Sequence, residues 1–123
     1  QVCHVRDIEV DGYHVRLARL LAEESPALVS LDSYELAEGR DYDGANPEAA
    51  LSAFREARRA TLRLLEGVTE EQLRRPGTFG EYGAVTLRSV VHYLASHDQQ
   101  HLACLHWLLG QIHAVPSGEG SSR

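Results

Sequence analysis

Apolar positions recur along this chain with the period of an α-helix in three long segments. The first segment runs from Val2 to Leu21 and contains Gly12 as its only weak helix former. It ends before Pro26, because a proline disfavours helix at the residue before it. The last and longest segment begins after Thr86, a good N-cap residue, and runs to about His113. These two segments predict the first and the last helix of the fold.

The middle segment has the clearest helix boundaries. Asn46 is a good N-cap, Pro47 suits the first helical position, and Glu48 complements the helix dipole. Gly67 stands where a glycine commonly ends a helix. The four residues that begin at Thr69 match a capping box, so we expect one further helical turn there.

Two loops separate the predicted helices, one over residues 26–45 and one over residues 78–85. A loop as long as the first is unusual in a compact domain, and such loops are usually functional or disordered. No segment carries a strand pattern, so we expect an all-α helical bundle without strands. We expect one domain over residues 1–114 and a disordered, Gly/Ser-rich tail over residues 115–123.

Two histidines occupy the apolar stripe of the last helix. The stripe advances in steps of three and four residues, which keeps it on one helix face, and consists of Val90, Leu94, His97, His101, Leu105, Leu108 and Ile112. His97 and His101 therefore project inward together, with Cβ atoms about 6 Å apart, which is chelating distance for one metal ion. His92 and His106 fall on roughly the opposite side and His113 lies near the helix end, so we assign these three no site role.

Two interpretations of this histidine pair stay open. Histidines four residues apart are often simply satisfied by a carbonyl or by solvent, since intermediate burial is normal for histidine. Their place in an apolar stripe favours metal binding, because unpaired imidazoles in a core are costly. Cys104, on the same face, is either a fourth ligand that closes a structural site or a small buried thiol. We favour the thiol, because one metal ion seldom reaches that far along a helix.

Composition and charge narrow the function classes. The 123 residues suffice for one domain, and a net charge of −6 without a run of basic residues argues against nucleic-acid binding. No stretch approaches the roughly 20 apolar residues of a membrane span, and no signal peptide is visible. Without a secretory signal, Cys3 and Cys104 are expected to be reduced thiols, which predicts a cytoplasmic protein.

Several segments resemble a known family. Glu81–Arg88, followed by His97–Leu102, resembles the end of DinB-like (YfiT-type) domains. Cys3–Glu9 is similar to that family's other signature, a histidine on the second helix that acidic residues follow closely, and Asn46–Glu48 also fits. The resemblance covers about Val2–Trp107, and its motifs are specific in combination.

The resemblance implies an up-down-down-up four-helix bundle that binds one divalent metal ion through three histidines. Carried over to this sequence, the ligands are His4, His97 and His101. Characterised relatives include metal-dependent transferases of low-molecular-weight thiols and maleylpyruvate isomerases. This chain departs from the family in having Cys104 where a glutamine is frequent, and in lacking the family's first helix.

The leading functional hypothesis is a metal-dependent transferase of low-molecular-weight thiols, or a related hydrolase. Its partners would be a small-molecule electrophile and a thiol. Three imidazoles leave coordination positions open on Zn²⁺ or Ni²⁺, with Fe or Mn as further candidates. The second hypothesis is a non-catalytic stress or interaction domain whose metal staples the bundle. The third is a helical oligomerisation module without a metal.

Further side chains are candidates for supporting the site. Asp98, next to His97, and Asp11 are candidates for orienting the ligands, and surface carboxylates are the alternative for both. Asp11 belongs to a stripe of the first helix that comprises His4, Ile8, Asp11 and Val15. Aromatic candidates for the pocket wall, or for simple packing, are Tyr34, Tyr42 and Tyr82.

Three helices of this length leave one side of a bundle open. An exposed apolar face of that size is unfavourable in a soluble monomer. We therefore expect either that the natural protein extends upstream of Gln1 by about one helix, or that two chains form a homodimer.

Overall fold

A long helical rod forms the N-terminal part of the computed structural model, which describes residues 2–31, 42 and 44–116. The rod consists of helix α1 (Val2–Asp7), a π-helical segment (Ile8–Tyr13) and helix α2 (His14–Ala22). The chain stays helical through both junctions, where Asp7 and His14 have right-handed helical dihedral angles. The predicted first helix is thus confirmed, but its π-helical segment was not predicted.

Helix α3 (Pro47–Leu65) and the single turn α4 (Glu70–Leu73) begin where the sequence predicted. The Asn46 side chain accepts hydrogen bonds from the backbone N–H groups of Glu48 and Ala49. Thr69 and Gln72 form the reciprocal hydrogen bonds of a capping box. Gly67 adopts a φ of +73°, the left-handed conformation that favours glycine after a helix end.

The longest helix, α5 (Leu87–Ala114), is capped by Thr86 and changes its environment along its length. Its first turns are buried, its middle is half-buried, and the side chains after Cys104 are exposed. The predicted inward stripe is therefore wrong beyond His101, because Leu105 and Leu108 are each 37% exposed and Ile112 is 59% exposed.

A small three-stranded sheet replaces part of the two predicted loops. Strand β1 (Ala27–Leu28) pairs in parallel with β2 (Pro76–Phe79), which pairs in antiparallel with β3 (Gly83–Thr86) across a 3₁₀ turn (Gly80–Tyr82). The expectation of a chain without strands is wrong. The strands escape detection because none exceeds four residues, too few for an alternating pattern to stand out.

The hydrophobic core lies where α2, the first turns of α5 and this sheet meet. Leu17, Leu20, Leu87 and Val90 are completely buried there. Gly77 lets β2 cross closely over α2, since a Cβ at this position would stand 2.8 Å from a methyl group of Leu20. The core thus occupies one end of the molecule, and α5 leads from it to the middle of the bundle.

Some expectations fall outside the described residues. They include the role of Tyr34 and the state of the tail from residue 117 onward. In the part of the chain that the structure does describe, no helix is long and apolar enough to cross a membrane. The single domain over residues 1–114 stays a prediction.

Candidate metal centre

Three half-buried histidines converge in the middle of the bundle. His4 comes from α1, and His97 and His101 come from successive turns of α5. The ring centroids of His97 and His101 are 4.5 Å apart, and those of His4 lie 4.8 Å from His101 and 5.7 Å from His97. One nitrogen from each ring lies within 4.8 Å of the other two. The structure therefore brings together the three residues that the family resemblance implies.

Contacts near the hydrophobic core hold the rod, which carries His4, against α5, which carries the other two histidines. Tyr13 lies in the rod between His4 and the buried part of α2, and its hydroxyl donates a hydrogen bond to the backbone carbonyl of Tyr93 at 3.3 Å. The ring of Tyr13 also packs against that of His97, with centroids 5.5 Å apart. These contacts fix the rod against α5, so residues more than 90 positions apart in sequence share one site.

The surroundings keep the three imidazoles neutral at pH 7. Burial and then the neighbouring His101 and His4 lower the pKa of His97 to about 4. Burial lowers the pKa values of His4 and His101 in the same direction. A neutral imidazole has a free lone pair, which is the form that binds metal ions.

The donor set fits one metal ion. The Nε2 atoms of His97 and His101 lie 3.1 Å apart. Two histidine nitrogens that share a Zn²⁺ at about 2.1 Å are roughly 3.4 Å apart at tetrahedral angles. Within the described residues the group of candidate ligands consists of histidines alone, and the half-buried Cys104 lies outside it. Three protein ligands leave a position open for a substrate, as catalytic sites do.

The predicted orienting residue Asp98 has another partner. Its two carboxylate oxygens accept hydrogen bonds from Arg58 at 2.8 and 2.9 Å. Arg58 also donates to Glu9 at 2.9 Å, and Glu9 is only 1% exposed. Burial lowers the pKa of Arg58, but the hydrogen bonds that Arg58 donates to Asp98 and Glu9 outweigh burial and raise that pKa. Asp98 therefore ties α5 to α3 and to the π-helical segment.

The predicted stripe of the first helix is wrong beyond Ile8. Val15 is 43% exposed, whereas Tyr13 and Arg16 are buried. The π-helical segment causes this shift, because its hydrogen bonds span five residues instead of four and rotate the following side chains. Asp11 is half-buried within this segment, and its role in orienting a ligand stays a prediction.

An acidic neighbour of His4 that we did not predict is Asp7. Its carboxylate is 3% exposed and accepts hydrogen bonds from Arg6 at 3.0 Å and from the hydroxyl of Tyr42. The charge of Asp7 acts on the pKa of His4 in the direction opposite to burial. The sequence contained a signal for this contact, because Asp7 follows His4 by three residues and residues at that spacing are neighbours on a helix.

The histidines without an expected site role lie apart from the cluster. His92, His106 and His113 are exposed on α5. His14 is half-buried, and its Nδ1 lies 3.1 Å from the hydroxyl of Thr61, with which it forms a hydrogen bond. The hydroxyl of Thr61 thus binds His14 and solvent reaches the other three, whereas the histidines of the cluster contact one another.

Two cavities adjoin the cluster on different sides. The inner cavity, of about 270 Å³, is lined by His4 and His97 together with Arg16 and the rings of Tyr13, Phe79, Tyr82 and Tyr93. The apolar groove, of about 320 Å³, is lined by His101, Arg58 and Asp98 together with Val2, Val5, Leu51, Phe54, Leu102 and Leu105. A ligand can therefore approach the three histidines from two directions.

Comparison with known proteins identifies the family. The model of the DinB superfamily matches residues 1–105, so the chain belongs to the DinB superfamily. A search of curated proteins finds no significant match.

The fold is similar to that of a solved member of this class, YfiT from Bacillus subtilis. The TM-score is 0.79 and the identity 23%, over 92% of this chain and 67% of that chain. YfiT is described as a probable metal-dependent hydrolase with an unusual four-helix bundle topology. The likeness confirms the predicted four-helix-bundle fold.

Proposed function

We propose that this protein is a metal-dependent enzyme that acts on small molecules, with one divalent ion held by His4, His97 and His101. The convergence of three neutral imidazoles, two of them in the wall of the inner cavity and the third in the wall of the apolar groove, carries the proposal. A site with three protein ligands and adjoining space is the arrangement of catalytic rather than structural metal centres.

The reaction we favour is the transfer of a low-molecular-weight thiol to an electrophile, and hydrolysis is the alternative. A bound Zn²⁺ or Ni²⁺ lowers the pKa of a thiol or of water and so supplies a nucleophile at neutral pH. Two cavities that meet at the cluster favour a reaction of two substrates. The description of YfiT as a probable hydrolase favours the alternative.

The protein's own side chains would bind and shield the reactants. Tyr13 packs against the ring of His97, and the aromatic rings of the inner cavity offer a substrate an apolar surface beside the cluster. The ion pair between Arg58 and Asp98 holds the turn of α5 that carries His97 in place. Both effects keep the ligands in one geometry before a substrate arrives.

A non-catalytic domain whose metal only staples the bundle remains the competing proposal. A fourth ligand from Cys104 would favour it, and the position of this thiol outside the histidine group counts against it. We place the protein in the reducing cytoplasm, where Cys3 and Cys104 would stay thiols. Zn or Ni is the expected metal, with Fe or Mn as further candidates, because imidazole suits several of these ions.

Metal analysis tests the proposal most directly. Protein purified without a histidine tag should contain about one divalent ion per chain, and the double variant His97→Ala/His101→Ala should contain none. The double variant His92→Ala/His106→Ala changes two exposed histidines of the same helix and should keep the metal. A wild-type protein that neither contains a metal nor takes one up on titration contradicts the proposal.

Activity assays then separate the two reactions. The metal-loaded protein should accelerate the substitution of an aromatic halide by a thiol such as cysteine, followed by absorbance. Cleavage of a 4-nitrophenyl ester without any added thiol would instead establish the hydrolase. A loaded protein that does neither, but melts at a higher temperature than the metal-free form, would favour the structural staple.

A further inference from the structure

A buried arginine without a carboxylate partner lines the inner cavity. Arg16 is only 6% exposed, and its Nε donates a hydrogen bond to the carbonyl of Val29 at 3.2 Å. Its guanidinium carbon lies 4.5 Å from the ring centroid of Phe79 and 5.1 Å from that of Tyr13. Among the ion pairs of the described residues, Arg6 and Arg58 bind buried carboxylates, whereas Arg16 binds none. Arg16 therefore lines the cavity without a carboxylate partner among the described residues.

The chemistry of this group calls for an anion. A guanidinium has five N–H donors, and Val29 occupies one of them. The ring faces of Phe79 and Tyr13 compensate only part of the cost of burying the charge. The two terminal nitrogens present a planar pair of donors, which matches the two oxygens of a carboxylate.

The fold makes room for the guanidinium. Gly12, in the π-helical segment, lies against it, and a Cβ at this position would stand 3.3 Å from both terminal nitrogens of Arg16. The π-helical segment also turns Arg16 inward, whereas an uninterrupted helix with the predicted stripe would have turned Val15 inward. Gly12 and the π-helical segment thus both position the guanidinium of Arg16 at the cavity.

We propose that Arg16 binds the carboxylate of the substrate in the inner cavity, so that the reactive atom of the same molecule faces the three histidines. The substrate class is thus a small monocarboxylate with an apolar or aromatic body. This inference deepens the proposed function and rests on it for the role of the histidines. Tyr13 contacts both Arg16 and His97, so these two side chains of the cavity wall are separated by about the width of one aromatic ring.

The charge of the cavity favours a carboxylate over a phosphate. Arg16 is the one arginine or lysine in the described lining of the inner cavity. In the metal-free protein, one guanidinium balances one carboxylate, whereas the dianionic form of a phosphate would keep a second negative charge without a partner there. The aromatic walls suit the apolar body of such a molecule.

Anion binding to the metal-free protein tests the inference without relying on activity. Chelator-treated protein is titrated with benzoate at constant ionic strength and followed by calorimetry, with chloride and inorganic phosphate as comparison anions. Wild type should bind benzoate, and Arg16→Gln should lose about tenfold or more in affinity, because it removes charge-assisted hydrogen bonds to the carboxylate. Arg88→Gln removes an equal charge from an exposed pair with Glu70 and should bind like wild type.

A second readout keeps the inference testable if Arg16→Gln does not fold. In the wild type, benzoate should shift the side-chain Nε NMR signal of Arg16, and chloride at the same ionic strength should not. Unchanged signals, equal affinity of wild type and Arg16→Gln, or tighter binding of phosphate than of benzoate would each overturn it. Benzoate binding by a protein that takes up no metal would support the Arg16 site and refute the proposed function. Metal uptake without benzoate binding would support the proposed function and refute the Arg16 site.

Discussion

At the scale of single residues, the surroundings decide what a histidine does. His14 and His97 are both half-buried, but the hydroxyl of Thr61 satisfies His14, whereas His97 has two further imidazoles beside it. Three imidazoles crowd together here, with nitrogens close enough to bind one cation through their lone pairs. The sequence spacing of His97 and His101 indicated this crowding, but the third member became evident only from the family resemblance and the fold.

Substitution of His4 tests the contribution of the N-terminal rod to the site. His4→Ala should lower metal affinity by at least about 10–100-fold. Loss of a residue that only hydrogen-bonds to a metal ligand already has an effect of this size, so loss of a ligand should have at least the same effect. His14→Ala and His106→Ala remove histidines outside the cluster and should leave the affinity unchanged. Competition titration against a chromogenic chelator measures all three variants. Equal behaviour of the three would show that His4 is not a ligand.

Acid should destabilise the metal-free protein through His97. Burial lowers the pKa of His97 from 6.5 to about 4, so between these values the unfolded chain binds more protons than the folded one. The free energy of unfolding therefore falls as the pH is lowered from 6.5 toward 4, and this contribution is complete above 6.5. Urea unfolding at a series of pH values checks it. His97→Gln should weaken the dependence and His92→Gln should not, and identical curves for both would contradict the assignment.

At the scale of elements, cap and breaker residues were predictable and the backbone irregularities were not. The caps Asn46, Thr69 and Thr86 act locally, so the helix starts follow from the sequence alone. The π-helical segment depends on contacts with distant residues, and the sheet depends on the pairing of β1 with a strand about 50 residues later. Neither leaves a periodic signal in the sequence. The direction of Arg16 and the shape of the inner cavity therefore became known only from the fold.

The glycine of the π-helical segment should be required for the packing of the rod. In Gly12→Ala the new methyl group meets Arg16 and Leu31 at 3.3 Å, so we expect a loss of about 1–3 kcal/mol, as overpacking causes. Gly110→Ala places a methyl group in open space on α5 and should instead gain about 0.4–1 kcal/mol. Urea unfolding of both variants measures the difference. A stabilised Gly12→Ala variant would show that the rod does not need this space.

The ion pairs of Arg58 should differ in strength from the surface pairs of the same helix. Arg58→Met leaves Glu9, 1% exposed, without its positive partner, and should destabilise the protein by about 3–5 kcal/mol. Arg59→Met breaks an exposed pair with Glu56 and should cost about 0–1 kcal/mol. Thermal and urea unfolding compare the two. A cost for Arg58→Met no larger than that for Arg59→Met would mean that this network does not hold α3 against the rod.

At the scale of the whole molecule, core, site and exposed apolar surface follow one another along α5. Leu87, Val90 and Leu94 belong to the core, and His97 and His101 belong to the candidate metal centre. The remaining turns carry exposed apolar side chains: Leu102, Leu105, Trp107, Leu108, Leu109 and Ile112. The sequence predicted an apolar face on this helix, but only the fold could show that no described element covers its last turns.

The exposed end of α5 predicts that this chain forms a homodimer. Leu102 is 56% exposed, Leu109 49% and Ile112 59%, and helical periodicity places the three on one side of α5, so they form an apolar stripe of the kind found at interfaces. An isologous pair would bury the same face of both copies, and light scattering should then give twice the chain mass of 13.6 kDa. Leu109→Glu with Ile112→Glu should dissociate the pair, whereas Val29→Glu, a change at a 68% exposed valine elsewhere, should not. A monodisperse monomer at every concentration would refute the dimer. The exposed apolar turns of α5 would then be stable in water without a second copy to cover them.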